Sequence, residues 1–183
     1  MKIICIYIFS HFDPNVNTEE AVSRKQKMRA SMLPLGISYI AAVLKKDGHE
    51  IKIIPVSDQT SITEFIIDIK ESDLFCISFN YYNCTPIFEK LVKELKTIAP
   101  DTKILAGGSH VTLYPDEIME NKNIDAVCIG DGENAVIAYV NALKENKIDK
   151  KIDNLFIRQP DLSILKCEKS NFIENIDSLP FID

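Results

Sequence analysis

Five apolar runs of strand length, separated by stretches of helical periodicity, set the tightest limit on how this chain can fold. They are KIICIYIF at 2–9, EIKIIPV at 50–56, LFCISF at 74–79, KILAG at 103–107 and DAVCIG at 125–130. A strand that is apolar almost throughout belongs to a sheet covered on both faces, because a one-sided sheet alternates apolar with polar residues. Between the runs, Ile37, Ile40, Ala41 and Leu44 follow the spacing of one helix face, and Ile62, Phe65, Ile66 and Ile69 repeat it. Ile87, Leu91, Leu95 and Ile98 keep a third stripe. Strand and helix in alternation predict an α/β fold: a flavodoxin-like (Rossmann-like) three-layer sandwich whose five-stranded parallel sheet has right-handed crossovers and the order 2-1-3-4-5.

With 183 residues the chain suits a single domain that needs no metal or disulfide to hold it. Residues 1–150 make up the predicted domain. Two parts exceed its minimal form. Residues 10–33 make a connection far longer than usual, with a helix expected in its middle. From Lys151 onward, NLFIRQPDLSILKCEK reads as a hairpin with a Pro-Asp turn, and the stretch to Asp183 reads as a linker.

A formal charge of −6 argues against a general nucleic-acid surface. The cysteines (Cys5, Cys76, Cys84, Cys128, Cys167) are scattered without a CxxC pair, as small buried residues of a cytoplasmic protein would be. The apolar start is too short to span a bilayer, so no membrane partner is expected. His49, at the start of the second strand, is expected to be structural. Arg24, Lys25, Lys27 and Arg29 follow Glu19 and Glu20 and read as a solvated helix face.

In an open parallel sheet, ligands bind beyond the carboxyl ends of the strands. The informative residues stand there: SFNYYN after strand 3, GGSH after strand 4 and GDGENA after strand 5, with LPLG before the first packed helix. GDGENA fits the GxGxxA dinucleotide pattern, and Gly130 and Gly132 would bare N–H groups at a helix start. It follows the last strand, however, and no further βα unit supplies the ribose-binding acid. A phospho-receiver is disfavoured because Asn80 and Tyr81 stand where an aspartate is needed, and a flavodoxin because SHFDPN is no phosphate loop.

These residues resemble a cobalamin-binding domain, whose pattern runs DxHxxG, about 41 residues, SxL, then 26 to 28 residues and GG. Gly36, Ser78 and the pair Gly107–Gly108 fall into that register, with 41 residues between Gly36 and Ser78 and 26 between Asn80 and Gly107. PLGISYIAAVLKKDGHEIKIIPV, LAGGSHVTLYPDEIMENKNIDAVCIGDGENAV and IDSLPFID further resemble the amino-terminal domain of B12-dependent radical SAM enzymes. The resemblance implies that Leu33, Pro34, Leu35 and Gly36 face the corrin and that Gly107 and Gly108 lie against its nucleotide tail. It implies that Ser78 hydrogen-bonds the tail, and that Asn80, Ser109, His110 and the segment Gly130, Asp131, Gly132 and Glu133 complete the cofactor contacts.

The departures from the pattern are informative. Ser31 and Leu33 replace its Asp and cobalt-ligating His, Asn80 replaces the Leu of SxL, and Ser109 replaces the Pro of GGPH. Cobalamin would then be base-off with no histidine in place of the base; His11 is the histidine nearest that loop. The CxxxCxxC that would hold a 4Fe-4S cluster and support S-adenosylmethionine chemistry is absent. The implied whole is a longer methyltransferase-like enzyme whose radical SAM domain follows in the same polypeptide, or else the chain is a free-standing relative of such an enzyme's amino-terminal domain, and no catalytic residue is expected here. Tyr81 and Tyr82 could stack on the cofactor or pack against that further domain. The alternatives are a degenerate domain kept for interaction, or a nucleotide-binding domain using GDGENA.

Overall fold

The computed structural model describes residues 1–10, 34–167 and 172–182. The expected helix within 10–33, the basic face, His11 and Leu33 lie outside the described residues. Five strands, β1 (Lys2–Ile8), β2 (Glu50–Val56), β3 (Leu74–Ser78), β4 (Lys103–Gly107) and β5 (Ala126–Cys128), pair in parallel in the order 2-1-3-4-5. The sheet has seven strands rather than five. The C-terminal hairpin, β6 (Leu155–Arg158) and β7 (Ile164–Lys166), joins the β5 edge antiparallel and extends the sheet. Its turn is the Pro160–Asp161 pair followed by Leu162 at φ 68°, closed by Leu162 N–H to Gln159 O and Gln159 N–H to Ser163 O. A type I turn with one left-handed residue is a standard three-residue hairpin loop.

Alternation along the buried strands sends side chains to two cores. Ile4, Ile6, Phe75, Ile77, Ile104 and Ala106 pack on one face with α3 (Thr85–Ile98) and the short helices α4 (Ser109–Leu113) and α5 (Pro115–Glu120). Ile3, Cys5, Leu74, Cys76, Leu105 and Cys128 pack on the other with α1 (Leu35–Lys46) and α6 (Glu133–Lys144). The 62–70 stripe forms a 3-10 turn that runs into one helical turn, α2 (Ile66–Lys70). The buried face of α3 is Phe88, Leu91, Val92 and Leu95, with Ile87 and Ile98 at its margins, so the face is wider than the stripe read from the sequence.

At the amino ends of the strands, α1 stops in a Schellman turn: Gly48 takes φ 84° and His49 N–H reaches Leu44 O at 3.1 Å. His49 is buried there, far from the carboxyl ends, between the Met1 amino group, Asp47 and Lys144. All five cysteines are buried and free. No helix among the described residues is long and apolar enough to cross a membrane.

Candidate functional site

The carboxyl ends of β3, β4 and β5, with the first turns of α1 and α6, enclose a cavity of about 400 Å³. Its position follows from the topology. Strand order reverses between β1 and β3, so the crossovers diverge there and leave a crevice. That volume admits a heterocycle with its sugar, not a macrocycle. The rim carries Pro34, Leu35 and Gly36 from the start of α1, Ser78, Asn80 and Tyr81 beyond β3, and Gly107 and Gly108 beyond β4. Gly130, Asp131, Gly132 and Glu133 close it from the β5–α6 side.

Ser109 and His110 do not line the cavity. Ser109 serves the rim indirectly: its N–H donates to Asn80 Oδ1 at 3.0 Å and its hydroxyl to Asn80 O at 3.0 Å. These bonds orient the amide, so Asn80 Nδ2 donates to Ser78 Oγ at 3.0 Å. The Ser78 hydroxyl thus receives a bond and keeps its own proton, which has no acceptor among the described residues. His110 is buried on the opposite face, edge-on to Phe79 at 4.6 Å and beside Tyr82 and Tyr114. The glycine pair turns the chain so that the residue two beyond it points into the α3 side.

Gly108 has a backbone reason for being glycine. It sits at φ 109°, ψ 177°, and a Cβ there would lie 2.6 Å from Asn80 Oδ1 and 2.8 Å from Phe79 O. Gly107 has ordinary strand geometry, and its Cβ would meet only Cys128, at 3.6 Å. Of the pair, Gly107 is the one whose missing side chain leaves room in the cavity; Gly108 shapes the turn.

The sequence reading missed the floor and the braces. Ile37, Cys76, Leu105, Cys128 and Val136 form a buried floor, with Ile40 beside them, while the side chain of Ile77 packs in the core on the other face. Cys76, Leu105 and Cys128 each precede a rim residue by two positions (Ser78, Gly107, Gly130), and strand alternation sends i and i−2 to the same face. The signal was there to read. Thr112 and Asn154 carry no such signal. The Thr112 hydroxyl donates to Gly108 O and accepts from Gly130 N, both at 3.0 Å, and so ties the two glycine loops together. Asn154 Nδ2 donates to Asp131 O at 2.8 Å and pins the β5–α6 loop.

Electrostatically the site is neutral below and acidic at the mouth. Donation of its S–H to Cys5, with burial, pushes the Cys76 thiol well up, and burial pushes Cys128 up to about 12, so both stay protonated. Asp131 and Glu133 stand at the rim, and no Lys, Arg or His is among the described lining residues. Among these residues a pyrophosphate would find no cation, whereas the amide groups that fringe a corrin would find acceptors.

Residues 21–140 match the family model of the B12 binding domain. The chain belongs to that family. It is 29% identical to the cytidylyl-2-hydroxyethylphosphonate methyltransferase of Streptomyces wedmorensis, over 70% of this chain and 28% of that protein. The fold is similar to that of the radical S-adenosylmethionine methyltransferase TsrM of Kitasatospora setae, solved with cobalamin and a 4Fe-4S cluster bound. That match has a TM-score of 0.64 at 12% identity and covers 98% of this chain and 31% of TsrM. The cobalamin-dependent S-adenosylmethionine radical enzyme OxsB, solved with aqua-cobalamin and S-adenosylmethionine, gives a TM-score of 0.66 at 14% identity over 94% of this chain and 23% of OxsB. The chain therefore spans a third or less of each of these proteins. Cobalamin is the cofactor of its family, and the residues present fit it: a heterocycle-sized cavity, an unpaired hydroxyl donor at its rim, and a wall left open by Gly107.

Proposed function

We propose that this domain binds cobalamin for a radical SAM methyltransferase-like enzyme, with the lower base displaced from cobalt and received in the cavity. The observation that carries this reading is the cavity itself, which lies at the register positions Gly36, Ser78 and Gly107 and offers the Ser78 hydroxyl as a donor. The displaced base has an imine nitrogen that needs such a donor once desolvated. Pro34, Leu35 and Gly36 would lie under the corrin, while Asp131 and Glu133 would accept from its amides. The position of the ligating histidine is Leu33, and no histidine is among the described residues that line the cavity, which supports a cobalt with no side chain in place of the base.

When bound, cobalamin supplies organometallic group transfer, and the protein supplies orientation and exclusion of water. The chain's residues bind and position; none acts as acid, base or nucleophile. Residues 1–150 would form the cofactor unit, with the hairpin of 151–183 completing its sheet and the stretch beyond leading toward a radical SAM domain of the same polypeptide, which would hold the 4Fe-4S cluster and S-adenosylmethionine. The greater length of the relatives supports this. The test is incubation with hydroxocobalamin, desalting and a visible spectrum: a retained base-off spectrum is expected, and Ser78→Ala should weaken retention without unfolding the protein. A colourless protein, or a retained base-on spectrum, would overturn the reading.

A further inference from the structure

The cavity floor is more selective than cobalamin binding requires. Its buried side chains are Ile37, Cys76, Leu105, Cys128 and Val136, three aliphatic and two thiol. The thiols have little to offer a ligand. Cys76 shares a hydrogen bond with Cys5, and Cys128 Sγ faces Asp131 O at 3.9 Å. A thiol is a weak donor and a weak acceptor in any case. Near the floor stands the Ser78 hydroxyl, which accepts from Asn80 and keeps a proton that has no acceptor among the described residues.

A displaced dimethylbenzimidazole presents methyl groups, an apolar ring and one imine nitrogen. An adenine in its place presents an exocyclic amine and further ring nitrogens, each of which would lose water without gaining a partner on this floor. We propose that the floor formed by Cys76, Leu105, Cys128 and Val136, with the Ser78 hydroxyl beside it, makes this domain selective for corrinoids with an apolar benzimidazole-type lower base over those with a purine. This rests on the reading above, in which the base enters the cavity. Cys128 is the specificity-determining position easiest to test, because serine has nearly its shape and adds a strong hydrogen-bonding group beside the base.

The experiment titrates the 183-residue protein with cobalamin, with its adenine-based analogue and with cobinamide, which lacks the nucleotide, by equilibrium dialysis. Cobalamin is expected to bind about tenfold or more tighter than the adenine analogue, the scale set by buried unpaired polar groups. Cobinamide is expected to bind more weakly than cobalamin. Cys128→Ser, checked for folding by circular dichroism, should narrow the gap between the two bases at least about threefold. Equal affinity for both bases, with cobinamide weaker, would overturn the selectivity and leave cobalamin binding intact. Equal affinity for cobalamin and cobinamide, or binding of neither, would remove the reading itself. The wild-type ratio decides the question even if Cys128→Ser does not fold.

Discussion

Gly108→Ala separates the two explanations for a glycine pair beside a ligand cavity. The φ 109°, ψ 177° backbone is a region essentially confined to glycine, and holding alanine there costs roughly 1–3 kcal/mol. The new methyl would also stand 2.6 Å from Asn80 Oδ1 and 2.8 Å from Phe79 O. Asn80 can swing away only by releasing Ser109 N–H and Ser78 Oγ, a loss of about 1 kcal/mol or more, and the Phe79 carbonyl cannot swing. The sum is a destabilisation of about 3 kcal/mol. In urea denaturation the midpoint should fall with the slope unchanged. Gly107→Ala should stay within about 1 kcal/mol of wild type, since its methyl meets Cys128 at an ordinary 3.6 Å, yet it should weaken corrinoid binding by narrowing the cavity. A Gly108→Ala protein that unfolds at the wild-type urea concentration would refute the reasoning, as would Gly107→Ala being the less stable of the two.

Thr112→Val keeps the shape of the side chain but cuts both bonds between the glycine loops; stability should fall by about 2 kcal/mol and corrinoid affinity with it, with Thr112→Ser restoring both. Arg158 Nε donates to Ile124 O at 2.9 Å, and Nη2 donates to Asn121 O at 3.2 Å and to Met119 O. Arg158→Met should therefore lower the urea midpoint by an amount equivalent to about 2 kcal/mol or more, by freeing the hairpin from the end of α5. Burial, then the Lys144 charge, lowers the pKa of His49 against the opposing Asp47 bond, so the folded protein keeps it neutral where the unfolded chain protonates it. Its contribution is full above the ordinary value near 6.5 and is lost as pH falls from there through the lowered folded value. Urea midpoints measured from pH 7.5 to 5 should drop less in His49→Gln than in wild type.

The five central strands were legible because burial on both faces writes each one as an unbroken apolar run, and the observed bounds of β2 and β4 are those of the runs. The hairpin was legible from its Pro-Asp turn. That it joins the sheet was not, because pairing of Phe156 with Lys166 and of Val127 with Phe156 is a long-range choice that local pattern does not encode. In the site, spacing located Gly107 and Gly108 but could not tell a ligand-facing glycine from a turn-forming one. That distinction depends on a dihedral angle and on the nearness of Phe79 and Asn80, which come from another strand end. Ser109 and His110 followed the pair in sequence and were read as site residues. The same dihedral turns them away, one to brace Asn80 and the other to pack on Phe79. Thr112 lies in a short helix with no periodic signature, and only the meeting of two loops reveals its use.

The central claim is that the cavity holds the base of cobalamin away from cobalt with no protein nitrogen in its stead. Electron paramagnetic resonance of the reduced, cob(II)alamin-loaded protein tests it most directly, because a nitrogen axial ligand splits each cobalt hyperfine line into a triplet. The account predicts bound cofactor whose lines show no such splitting, in wild type and at pH values on both sides of neutrality. Triplet splitting in the bound species would contradict it, by putting either the benzimidazole or a histidine on the metal.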